Sequence, residues 1–144
     1  MSLDRSRFEA LIPHRGGMCL VERVLDWDEE TIVCAGTGHR DAGHPLRSQD
    51  GRLSCAIGLE YAAQAAAIHG GLLAERAGTR PRAGYLAGAR ELRLYRPWLD
   101  DLEGELRIRA ERLLGSEHSL LYRFHIECRG KPVCEGRLSV FFVV

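Results

Sequence analysis

Residues 54–78, SCAIGLEYAAQAAAIHGGLLAERAG, form an almost wholly apolar stretch of the chain. Ser54 is a typical N-cap residue, and Gly78, followed by Pro81, is a typical helix end. The stretch therefore predicts one long helix. Its apolar character extends nearly all the way round, which indicates burial on most sides. Polar residues and a pair of glycines interrupt it, so a buried core helix is a better interpretation than a membrane span.

One carboxylate lies within this apolar helix: Glu60, followed one turn later by Gln64. A simple explanation is an ion pair between Glu60 and Arg90 or Arg93 of a neighbouring strand. The alternative is a substrate tunnel that runs past Glu60. Apolar surroundings would favour the neutral carboxyl form, which could donate a proton, and Gln64 could hydrogen-bond and orient that group. Tyr61 is expected only to line the core or the tunnel.

The segments on either side of the helix have the pattern of strands. Residues 16–38 predict two strands joined near Asp28 and Glu29, and residues 83–96, 104–114, 118–129 and 132–144 predict four more. Arg-Gly-Lys at 129–131 predicts a hairpin turn. We expect an α+β fold in which an antiparallel sheet of about five to six strands curls round the helix, with residues 1–144 as a single domain. The free edge of such a sheet favours a dimer.

Composition excludes several classes of function. The 144 residues carry 20 basic and 20 acidic side chains, so no net charge favours nucleic acid or an anionic membrane. The five cysteines are scattered without zinc-ligand spacing, and we expect reduced thiols in a cytoplasmic protein and no metal. The N-terminal sequence does not have the pattern of a signal peptide.

Three motifs carry a family resemblance: PHRGGM at 13–18, His-Pro at 44–45 and GLEYAAQA at 58–65. Together they resemble the hot-dog-fold 3-hydroxyacyl-[acyl carrier protein] dehydratases and are most similar to the aryl-polyene biosynthesis branch. The resemblance implies a hot-dog fold and dehydration of 3-hydroxyacyl thioesters to trans-2-enoyl thioesters, in fatty-acid, polyketide or aryl-polyene type biosynthesis, without a cofactor. It also implies a hydro-lyase that works with an acyl carrier protein, whose phosphopantetheine holds the acyl chain.

The same resemblance implies the catalytic residues. His44 matches the loop histidine that acts as the base, and Glu60 matches the helix carboxyl group that acts as the acid. The loop is longer than in the fatty-acid enzymes, so His39 is an alternative to His44. In these families the two residues come from different subunits, so the partner is a second copy of the chain or another hot-dog protein in a heterodimer.

Substrate-binding residues are expected at the start of the helix and one turn beyond Glu60. Backbone N–H groups near Cys55 and Ala56 should be unpaired and could bind the enolate-like oxygen. The Cys55 thiol should border the acyl path and react most readily with alkylating agents. Gln64 completes the predicted set.

Two alternative functions stay open at this point. One is a hot-dog acyl thioesterase, which does not require His44. The other is a non-catalytic partner subunit of a heterodimeric dehydratase. It is suggested by Ser54 and Cys55, which stand where the family often has Pro-Gly.

Overall fold

One long helix packs against a seven-stranded antiparallel sheet. The computed structural model describes residues 2–11, 18–80, 84–116 and 118–142. Residues 12–17, which carry most of the PHRGGM motif, lie outside the described residues. In chain order the elements are β1 (Leu3–Asp4), α1 (Arg5–Phe8), β2 (Arg23–Trp27), β3 (Thr31–Gly36), α2 (Gly58–Arg76), β4 (Gly84–Leu94), β5 (Leu106–Gly115), β6 (Ser119–Cys128) and β7 (Lys131–Phe142).

The strands lie in the order β1-β2-β3-β5-β6-β7-β4, and every neighbouring pair is antiparallel. The six predicted strands are all present, and the two-residue β1 is added at one edge. The strand that follows the helix in sequence, β4, pairs with the last strand and forms the other edge. The predicted α+β architecture is therefore confirmed, with one strand more than expected.

Alternation along β6 places one face of the sheet against the helix. Leu120, Tyr122, Phe124, Ile126 and Cys128 are buried, and the residues between them point to the outer face. The hairpin from β6 to β7 turns at residues 129–130, both of which have positive φ (52° and 76°). This conformation matches the two-residue turn that fits the twist of the strands, and glycine adopts it without strain.

The limits of the helix agree closely with those predicted. The Ser54 side chain accepts a hydrogen bond from the Ala56 N–H, and a single 3₁₀ turn at Cys55–Ile57 leads into α2. The helix ends at Arg76, and Gly78 follows in the left-handed region at φ 73°. Such a glycine is a common helix end because it has no Cβ to strain.

Two apolar surfaces are left uncovered by the residues that the structure describes. On α2, Leu59, Ala63 and Ala67 are only half-buried, so the sheet does not enclose the helix on every side. On the edge strand β4, residues 85–94 are exposed on both faces, and they include Tyr85 (57% exposed) and Leu94 (43% exposed). An open edge with apolar side chains is a typical place for another chain to pair.

Candidate active site

The loop from Thr37 to Leu53 carries His44 and is anchored at its start by a carboxylate. Glu22 accepts hydrogen bonds from the Thr37 N–H (2.6 Å), the Thr37 hydroxyl (2.9 Å) and the Gly38 N–H (2.9 Å). Two successive turns follow, in which the Asp41 N–H donates to the Gly38 carbonyl and the His44 N–H donates to the Asp41 carbonyl. Glu22 was not among the predicted site residues, since its partners are mostly backbone groups 15 and 16 residues away, which a sequence pattern does not reveal.

Hydrogen bonds at both ring nitrogens fix the state of His44, which is 7% exposed. The Leu46 N–H donates to Nδ1 (3.1 Å), so the hydrogen of the neutral ring must lie on Nε2. That Nε2–H donates to the Tyr61 hydroxyl oxygen (3.1 Å). Burial, followed by the nearby Arg47 and His39, lowers the pKa of His44, so the ring is neutral at pH 7.

His44 and Tyr61 border a cavity of about 980 Å³. It opens between the N-terminal segment, the strand pair β2–β3 and the loop that carries His44. Its wall is about equally polar and apolar, and it includes charged groups of both signs. The lining residues are Asp4, Arg5, Ser6, Cys19, Leu20, Glu22, Arg23, Thr37, Gly38, Asp41, Gly43, His44, Pro45 and Tyr61.

Of the two histidines considered for the base, only His44 borders this cavity. His39 is fully buried, and its Nε2 donates to the Leu102 carbonyl (2.7 Å). Burial also lowers the pKa of His39. The third buried histidine, His69, bonds through Nδ1 to the Tyr122 hydroxyl and through Nε2 to the Asp28 carbonyl, so both of its nitrogens are satisfied within the core. His39 and His69 thus lie in the core, away from the cavity, and each bonds to groups of the folded chain.

Glu60 lies in the first turn of α2 and is half-buried, but it does not border the cavity. Neighbouring helix residues are rotated by roughly 100° from each other, so Tyr61 can face His44 while Glu60 faces elsewhere. Among the described residues, no hydrogen bond or ion pair engages the Glu60 carboxylate, and the simple pairing with Arg90 or Arg93 is not formed. His44 and Glu60 are therefore not brought together within one chain.

The predicted hydrogen bond from Gln64 to Glu60 is absent from the described contacts. Gln64 is 1% exposed, and its amide oxygen accepts from the Leu20 N–H (2.8 Å) while its amide nitrogen donates to the Met18 carbonyl (2.7 Å). Both ends of the side chain are used by the backbone of the segment before β2. In this structure Gln64 holds that segment to the helix and does not orient the carboxylate.

The expected donors at the helix start are also occupied. The Cys55 N–H donates to the Pro97 carbonyl (3.0 Å), and the Ala56 N–H donates to the Ser54 hydroxyl (3.1 Å). The Cys55 thiol has no exposed surface and lies in the core rather than in the cavity. The N-cap and the segment after β4 thus satisfy these two N–H groups within the chain, and the place of Cys55 and Ala56 along the acyl path stays a prediction.

Metal-binding clusters and membrane-spanning helices are both absent from the described ranges. No group of three or more His, Cys, Asp or Glu side chains there could hold a metal ion. No helix in those ranges is long and apolar enough to cross a membrane.

Comparison with known proteins identifies the family. A family model described as ApeP-like, ApeP dehydratase, matches residues 6–143. The chain belongs to the ApeP-like dehydratase family. No curated protein sequence matches it. A strong structural match is the dehydratase heterocomplex ApeI:P from Xenorhabdus doucetiae, with 28% identity and a TM-score of 0.85 over 99% of this chain and 92% of that chain.

Two more distant matches share the fold of this ApeP-like chain. A mutant thioesterase PA1618 from Pseudomonas aeruginosa is 14% identical, with a TM-score of 0.67 over 98% of this chain and 94% of that one. A hypothetical thioesterase with coenzyme A from Streptococcus pneumoniae is 12% identical, with a TM-score of 0.61 over 96% of both chains. These matches confirm the hot-dog fold. At such identities they show the fold alone.

Proposed function

We propose that this ApeP-like chain is one subunit of a dimeric dehydratase, which removes water from 3-hydroxyacyl thioesters carried on an acyl carrier protein. The product would be the trans-2-enoyl thioester of a fatty-acid, polyketide or aryl-polyene type pathway. One observation carries this proposal: a neutral His44 borders the cavity, whereas Glu60 of the same chain lies outside it. Each of these two side chains would then form a catalytic pair with a residue of a second hot-dog subunit.

The uncovered surfaces support a shared site. The edge strand β4 has unpaired backbone groups and apolar side chains, and α2 has a half-buried apolar side. A second hot-dog subunit would cover both kinds of surface. The relative from Xenorhabdus doucetiae is a heterocomplex by its name, so we propose a related hot-dog protein as the partner, with a homodimer as the alternative.

The reaction needs one group that accepts the α-proton and one that donates a proton to the leaving hydroxyl. We assign the first role to His44 and the second to Glu60. The lowered pKa of His44 keeps its ring neutral, as a base requires. In the free chain the ring hydrogen lies on Nε2, so acceptance at Nε2 requires the tautomer with the hydrogen on Nδ1. That change breaks the hydrogen bond from the Leu46 N–H.

The test is hydration of crotonyl and longer enoyl thioesters, the reverse reaction, followed as loss of enoyl absorbance. The chain is purified alone and together with its co-expressed hot-dog neighbour. We expect His44→Ala and Glu60→Gln each to abolish the activity of the active species. The exposed residues His118 and Glu29 supply matched controls, and His118→Ala and Glu29→Gln should keep the wild-type rate. Full activity of both site variants would refute the assignment.

A second candidate role is that of a non-catalytic partner subunit. It is favoured by the occupied N–H groups at the helix start and by the two engaged nitrogens of His44. In that case hydration would depend on the presence of the chain but not on His44 or Glu60. Release of free thiol that persists in His44→Ala would instead indicate a thioesterase.

A further inference from the structure

While the ring hydrogen of His44 lies on Nε2, the Tyr61 hydroxyl is a buried donor at the cavity for which the described residues supply no acceptor. Its oxygen accepts the His44 Nε2–H (3.1 Å), and no hydrogen bond donated by its own O–H is formed within the described ranges. Tyr61 is 1% exposed and borders the cavity. Burial raises the pKa of Tyr61, so the hydroxyl keeps its hydrogen at any physiological pH. An unused O–H in a desolvated position is costly unless a ligand accepts from it.

The reaction proposed above needs such a donor beside the base. When the α-proton leaves, negative charge develops on the thioester carbonyl oxygen, which is two bonds away from the α-carbon. The predicted backbone donors, the N–H groups of Cys55 and Ala56, are already bonded to Pro97 and Ser54. A side-chain donor adjacent to His44 could take their place, and the Tyr61 oxygen lies within hydrogen-bond distance of Nε2.

We propose that Tyr61 is a further catalytic residue whose O–H donates to the thioester carbonyl oxygen as its negative charge develops. This rests on the proposed dehydratase function. No proton is transferred from Tyr61: the α-proton passes to His44, and the phenolic hydrogen stays on its oxygen. The donor is fixed in place by packing and desolvated, the conditions under which a hydrogen bond stabilises a developing oxyanion most.

The test compares Tyr61→Phe with Tyr122→Phe in the active complex. The Tyr122 hydroxyl is also buried and also bonded to a histidine (His69, 2.6 Å), but it does not border the cavity. We expect Tyr61→Phe to lower kcat about 10²-fold with KM little changed, as for loss of one oxyanion donor. Tyr122→Phe should leave kcat unchanged even where it lowers stability. A Tyr61→Phe variant with wild-type kcat overturns the proposal.

The pH profile separates donation to substrate from an effect through His44. The acid limb of kcat should follow His44, whose pKa is set by burial together with Arg47, His39 and Asp41. If Tyr61 acts on the substrate, Tyr61→Phe lowers kcat equally at every pH and leaves that limb in place. A loss of kcat with a displaced acid limb would show that Tyr61 acts through His44 and would refute the catalytic role. Inactivity of the wild-type complex refutes the proposed function itself, and the two failures are distinguishable.

Discussion

Replacing Gln64 by Met removes two hydrogen bonds between α2 and the segment before β2, while the length of the side chain is kept. The Leu20 N–H loses its acceptor, and Leu20 is 6% exposed, so water does not replace it easily. An unsatisfied buried group of this kind costs about 1–3 kcal/mol. The Met18 carbonyl loses its donor, but Met18 is 37% exposed and the carbonyl can bind water, which limits this loss to roughly 0.5–1.5 kcal/mol. We expect Gln64→Met to lower the free energy of unfolding by about 2–4 kcal/mol.

The measurement is urea unfolding of the purified protein, with both variants in the same oligomeric state. The chain offers a matched control in Gln49, which is exposed in the loop between β3 and α2. Gln49→Met should change the free energy of unfolding by no more than about 0.5 kcal/mol. Equal stability of the two variants would refute the structural role of Gln64. A lost hydration rate with unchanged stability would instead restore the predicted role beside Glu60.

Three other predictions concern pH, thiol chemistry and packing. Burial lowers the pKa of all three buried histidines below the reference value of 6.5, so the unfolded chain binds protons more readily than the folded one. The histidine contribution to stability should therefore be complete above pH 6.5 and fall as the pH drops below it. A urea unfolding midpoint that stays flat from pH 7.5 to 5.5 would contradict this. A hydrogen bond from Cys134 lowers the pKa of Cys55 to about 7, yet both thiols are fully buried. Iodoacetamide should therefore label neither thiol in the native protein and both after unfolding. Labelling of Cys55 in the native protein, detected by mass spectrometry, would restore its predicted place at the tunnel. At Gly58 an added Cβ would clash with the Cys134 sulfur, so Gly58→Ala should destabilise the fold by roughly 1–3 kcal/mol. A second change, Cys134→Ala, should recover most of that loss, and additive losses would show that the contact is not the cause.

The sequence was sufficient to predict the elements of this fold because their signals are local. Alternation along residues 118–129, the apolar stretch from Ser54 and the turn at Gly130 each depend on neighbouring residues only. The position of β4 beside β7 could not be predicted in this way. That pairing joins residues such as Tyr85 and Phe141, which are far apart in the chain, and no local pattern selects it from other antiparallel orders.

The same distinction applies to the candidate site. His44 was found through its motif, and it does border the cavity. The expected bond from Gln64 to Glu60 and the expected unpaired N–H groups of Cys55 and Ala56 are not found among the described residues. Distant segments supply most of the partners instead, such as the Pro97 carbonyl for Cys55. The hydrogen bond between His44 and Tyr61 joins a loop to a helix 17 residues further along. It forms only because the turns after Thr37 bring the loop back over α2.

The open edge strand has a consequence for how the cell must make this protein. If β4 is covered by a different subunit, every copy made in excess of that partner keeps one open edge along this 11-residue strand together with exposed apolar side chains. Such copies can pair edge to edge with one another, and their exposed apolar surface makes them targets for chaperones and proteases. Production of the two chains in equal amounts, for example from one transcript, would therefore limit aggregation and degradation of this subunit. This chain overexpressed alone should then aggregate more readily than the same chain co-expressed with the partner.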